Sequence, residues 1–176
     1  MNNTSNIIGN PNSPLLIYEP MNILVFLSFY SPVIIAICMI GLSFAYQNAK
    51  GFVFFGYLLG FSVLRNFFYS QTGDEPLKDA DNICTSVQYS KYGNPSFSAF
   101  VFAFTITYLA IPMFTNSNVN YWVFAGLIIY FIIDIIMKLS KKCIIKMTDL
   151  ILNVLSGAGC AGAIVSAMTA GGSSKY

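Results

Sequence analysis

The residues that could do chemistry in this chain are few, and what is missing narrows the choice first. There is no histidine, so a His-dependent triad, a His metal site and a histidine nucleophile are all excluded. The four cysteines, Cys38, Cys84, Cys143 and Cys160, show no C-x-x-C spacing, which argues against a zinc or dithiol redox centre. No metal or cofactor is expected. The ionisable residues in or near apolar stretches are Arg65, Asp134 and Asp149, and a charge at membrane depth is by default a functional candidate. Each also has a structural reading. Asp134 stands four residues before Lys138 and can pair with it along one helix face, Arg65 can snorkel from the end of its span, and Asp149 can meet a helix N-terminus. Basic residues gather at Lys138, Lys141, Lys142 and Lys146. Arg65, Lys141 and Lys142 could together hold a lipid phosphate, because basic pockets between spans bind such groups.

These side chains must be positioned by elements that live in lipid. Of 176 residues, 56% are hydrophobic and 9% charged, against about 25% charged in a soluble domain. The apolar residues fall in blocks near the roughly 20 residues that cross a hydrocarbon core. A polar tail at 1–20 precedes blocks at about 22–46, 51–69, 95–114, 121–139 and 148–170, with an extramembrane loop at 70–94. The sequence therefore predicts an all-α, polytopic transmembrane bundle of about five spans in one domain over 21–172. Pro32 lies inside the first block, which a membrane helix tolerates when neighbours satisfy the freed carbonyl. Tyr121 and Trp122 form an interfacial aromatic pair. The net charge of +2 and the lack of a basic run set nucleic acid aside.

Small residues suggest how the spans meet. Gly56 and Gly60 make one small-x-x-x-small face, and the last block carries Gly157, Gly159 and Gly162 among alanines. In lipid, close backbone approach at small residues drives helices together, so all five glycines are expected at helix contacts. Five spans put the N-terminus, the 70–94 loop and the lysine turn on one side. There Arg65, Lys78, Lys91, Lys138, Lys141, Lys142 and Lys146 oppose Lys50 and Lys175, which makes that side cytoplasmic. Cys84 and Cys143 share it, so a disulfide between them is allowed if that compartment oxidises.

The order of a span ending near Arg65, Pro95-Ser96 opening a span, and basic residues before Asp149 and a Gly-rich span resembles the type 2 phosphatidic acid phosphatase superfamily. The similarity covers residues 51–172. That family is an all-helical membrane fold whose motif loops face the lumen or exterior, opposite to the side given by the lysines. Its signature is degenerate here. Pro95 and Ser96 keep their types, but Ser98 stands where the helix-opening histidine belongs and Ile145 where the nucleophilic histidine belongs. Asp149 survives without its partner, Leu58 replaces the first lysine, and Asn66 follows Arg65 where proline is usual. The resemblance thus implies a scaffold without the family's hydrolytic mechanism. In composition the chain also looks like the multi-span membrane proteins beneath the capsids of large DNA viruses of algae and protists. The function expected is a non-catalytic, structural or assembly role in a membrane, with the bilayer and other membrane or capsid proteins as partners. The alternative is a lipid- or solute-handling protein, either a transporter or a divergent lipid-phosphate enzyme.

Overall fold

The computed structural model describes residues 20–47, 49–72, 84, 87, 89, 96–117, 119–143 and 147–170, without the side chains of 20–22 and 72. Every regular element among them is a helix: α1 Pro20–Phe29, α2 Ser31–Ala45, α3 Lys50–Thr72, α4 Phe97–Thr115, α5 Tyr121–Ser140 and α6 Met147–Ala170. The tail at 1–19, most of the 70–94 loop, Pro95, Ile145 and the lysines at 78, 91, 146 and 175 lie outside the described residues.

The last four helices are each long and apolar enough to cross a bilayer, as lipid requires of a backbone whose polar groups must be satisfied internally. At 23 residues, α3 extends about 34 Å, just over a hydrocarbon core. The first apolar block behaves differently. It breaks at Tyr30 into α1 and α2, bent by 74°, so the expectation of one span over 22–46 is corrected to a broken pair. Pro32 near the start of α2 supplies the reason. Proline has no N–H and its ring clashes with the carbonyl four residues back, while its fixed φ suits the first turn of a new helix. A bilayer crossing here needs both pieces, since the 15 residues of α2 reach only about 22 Å.

The core is built around α4, whose residues from Phe97 to Thr105 are all buried. Phe54 of α3 packs against Phe104 and Tyr108 of α4, and Phe102 meets Tyr130 and Phe131 of α5. Against the far side of α4 lies α6, along Gly157, Ala161, Ile164 and Val165. A second cluster, formed by Val25, Phe29, Cys84, Met137 and Cys143, fixes α1 to the C-terminal end of α5. At the opposite end Tyr46, Phe114, Tyr121 and Trp122 are exposed, as an interfacial aromatic belt should be.

Three helices end alike without glycine. Gln47, Ser117 and Lys142 have φ of 49°, 54° and 53°, the left-handed conformation that closes a helix. After α5 this closure also carries a bond from the Cys143 amide to the Lys138 carbonyl, 2.8 Å. That turn returns Cys143 to the bundle.

Candidate functional site

Asp134, 1% exposed, sits on the α5 face that meets the break between α1 and α2. Four groups converge on its carboxylate. Ser28 and Ser31, one on each side of the break, donate to Oδ1 at 2.9 and 3.0 Å. Ser98, in the first turn of α4, donates to Oδ2 at 2.6 Å. The Lys138 ammonium lies 3.1 Å from each carboxylate oxygen and donates to the Ser98 hydroxyl. The expected Asp134–Lys138 pair is therefore present, buried inside the bundle.

Carbonyls beside the break are also satisfied from elsewhere in the chain. Tyr130 donates to the Leu27 carbonyl at 2.7 Å, and Tyr89 donates to that of Phe29 at 3.0 Å. The Tyr89 ring stacks on Phe97. Burial pushes the Tyr89 phenol up to about 12, so it remains a donor through the neutral range. Between this residue and the ion pair lies a cavity of about 10 Å³ lined by Phe29, Pro32, Cys84, Val87, Tyr89, Ser98 and Lys138. That is the space of about one water.

A second polar cluster joins α3, α4 and α6. Arg65 Nε donates to Asn153 Oδ1 at 2.6 Å, and its guanidinium lies over the rings of Tyr69 and Phe97 at 4.5 and 5.3 Å. Asn153 donates in turn to Tyr69, to Ser96 and to the Asp149 carbonyl. Arg65, 5% exposed, thus turns inward, which corrects the expectation that it snorkels. The Asn153 amide and two aromatic faces hold it there. Of the three residues expected to hold a lipid phosphate, Lys141 and Lys142 lie in the turn after α5, and Arg65 lies in this α3 cluster with Asn153. Of the phosphatase-like positions, Ser96 and Asp149 gather around Arg65 and Asn153, whereas Ser98 belongs to the Asp134 cluster. Asp149 occupies the first turn of α6, where the helix dipole favours it.

Cys84 and Cys143 form a disulfide with Cα atoms 5.5 Å apart, pinning residue 84 of the loop beside the cavity. Cys38 and Cys160 are free. In the chain-entropy account a crosslink closing 59 residues stabilises by at most about 4 kcal/mol. Spans already inserted in lipid hold the loop ends near each other, so about 2 kcal/mol is expected. Maleimide should reach Cys84 and Cys143 only after reduction, and Cys84→Ser should lower unfolding stability in detergent by that amount. Labelling of both before reduction would rule the bond out.

The glycine expectations need correction. A Cβ at Gly157 would run into the Phe100 carbonyl oxygen, but Gly56, Gly60, Gly159 and Gly162 have nothing within 4 Å of that position. Among the described residues, Gly157 is the one of the five that packs against a neighbouring backbone. Gly51, not anticipated, is another, closed against the Met39 carbonyl with its amide on Ser43.

Sequence reasoning missed the roles of Ser28, Ser31, Tyr89, Tyr130 and Asn153. A signal existed for three of them. Ser28 and Ser31 are polar, three apart and next to Pro32 in an apolar block, and Asn153 is an amide within a span. Groups of this kind in lipid need partners.

The fold and its polar clusters define a multi-pass helical membrane protein. No family model, curated protein or solved structure matches the chain.

Proposed function

We propose that the protein is a non-catalytic structural element of a membrane, one that fills and shapes the bilayer and binds neighbours in an assembly. The setting that its composition suggests is the internal membrane beneath a viral capsid, with membrane or capsid proteins as partners. The supporting observation is that the membrane-depth charges are bound within the chain. Asp134 is held by three serines and Lys138, Arg65 is held by Asn153 and aromatic rings, and the space beside Lys138 is water-sized. A lipid headgroup would not fit there.

The test is stoichiometry. Quantitative mass spectrometry of the purified source membrane or particle should find this chain in copy numbers comparable to the other structural components. Trace amounts would count against a structural role.

A second reading, lipid or solute handling, is favoured by one observation. A helix interrupted beside inward-facing ionisable residues is how many transporters build a binding site, and α1 and α2 break beside Asp134. The enzyme branch of that reading has its own measurement. Purified protein should release no phosphate from phosphatidic acid above a lipid-only blank. Release that disappears in Asp149→Asn or Arg65→Gln would replace the structural proposal with an enzymatic one.

A further inference from the structure

The most concentrated unexplained chemistry is the set of oxygens around Asp134. Its two carboxylate oxygens and the Ser98 hydroxyl all contact one positive group, the Lys138 ammonium. Phe29 presents its ring to the same ammonium at 5.8 Å. Ser28, Ser31 and Ser98 direct their hydrogens at the carboxylate, leaving oxygen lone pairs free for a cation. The water-sized cavity opens on Ser98 and Lys138. Hard oxygen donors, one negative charge and room for one water suit a small monovalent cation. A divalent ion would leave the site with uncompensated charge in a medium that penalises it.

We propose that this cluster is a sodium-binding site whose resident cation is the chain's own Lys138 ammonium, and that Na⁺ replaces the ammonium when Lys138 gives up its proton. The exchange balances. Lys–NH₃⁺ with Asp134 carboxylate plus Na⁺ becomes Lys–NH₂ with Na⁺ on the carboxylate plus H⁺, and the site is neutral before and after. In the exchanged state the ion takes both carboxylate oxygens, the Ser98 hydroxyl and the water in the cavity. The neutral Lys138 amine turns away. Among the described residues, Tyr89 and Tyr130 interact with Asp134, Tyr30 with Tyr89 and Cys38 with Tyr130, and none of these supplies a positive charge. Sodium and the ammonium therefore compete for one carboxylate. This goes beyond the structural proposal and does not depend on it.

The experiment uses the full chain in detergent, with unfolding temperature read in NaCl, KCl and choline chloride at equal ionic strength. Wild type should ignore the cation near neutral pH. Lys138→Met, which keeps the stem and removes the charge, should gain roughly 5 °C in NaCl with a saturating dose dependence, and KCl should do less. Lys138→Met combined with Asp134→Asn should lose the response. A folded, monodisperse Lys138→Met that does not distinguish sodium from choline overturns the proposal, as does a response that survives in the double variant. If Lys138→Met fails to fold, wild type decides. At about pH 10, where lysine ordinarily titrates, adding NaCl to weakly buffered protein should release protons that choline chloride does not. Equal acidification by the two salts overturns it.

Discussion

Asp134→Ala is expected to lower the unfolding free energy by about 3–5 kcal/mol, the range for removing one partner of a buried ion pair. The cost comes less from the lost attraction than from what stays behind. Lys138 is 3% exposed, and without the carboxylate its ammonium retains, among the described residues, the Ser98 hydroxyl and the Phe29 ring. Ser28, Ser31 and Ser98 lose their common acceptor as well. Removing both charges together should be much milder, because well-packed apolar replacements of a buried pair are often neutral or better. Asp134→Leu with Lys138→Met should therefore recover most of the loss. Denaturing-detergent titration of the two variants and wild type measures both numbers. A single-variant loss below about 1 kcal/mol would mean that the pair is hydrated and does not organise the helix break.

That break marks where the sequence stopped being legible. The blocks after it were readable, because lipid imposes length and apolarity on any span. Expected spans at 51–69, 95–114, 121–139 and 148–170 correspond to Lys50–Thr72, Phe97–Thr115, Tyr121–Ser140 and Met147–Ala170. Pro32 was visible too, but a proline in an apolar block permits a kinked span or a broken one. The difference is made by partners far away in sequence. Tyr130 lies 103 residues from Leu27, and Asp134 lies 106 from Ser28. No local pattern encodes those distances. The disulfide shows the same limit. Compartment sidedness allowed Cys84 and Cys143 to meet, while the left-handed turn at Lys142 that buries Cys143 has no glycine to announce it.

The glycines of α6 failed as a signal for a geometric reason, and this gives the second large effect. At about 100° per residue, Gly157 and Ala161 lie some 40° apart on the helix, whereas Gly159 is about 200° from Gly157. With small residues at nearly every position from 156 to 163, composition could not say which of them faces a neighbour. The structure selects Gly157 and Ala161, the latter 0% exposed. Gly157→Leu must then place its Cβ where the Phe100 carbonyl oxygen stands. Backbone cannot rotate aside as a side chain would, so α4 and α6 have to separate. Separation loosens Ala161, Ile164 and Val165 from Phe100 and Phe104, giving an expected loss of about 3 kcal/mol or more. Gly159→Leu meets open space and replaces a poor helix former by a good one. It should stay within roughly 0.5 kcal/mol of wild type or gain up to about 1 kcal/mol. Melting temperatures of the two variants in one detergent provide the comparison. If Gly159→Leu destabilises as much as Gly157→Leu, its face is also in contact, and the lipid-facing side of α6 would have to be moved to another set of residues.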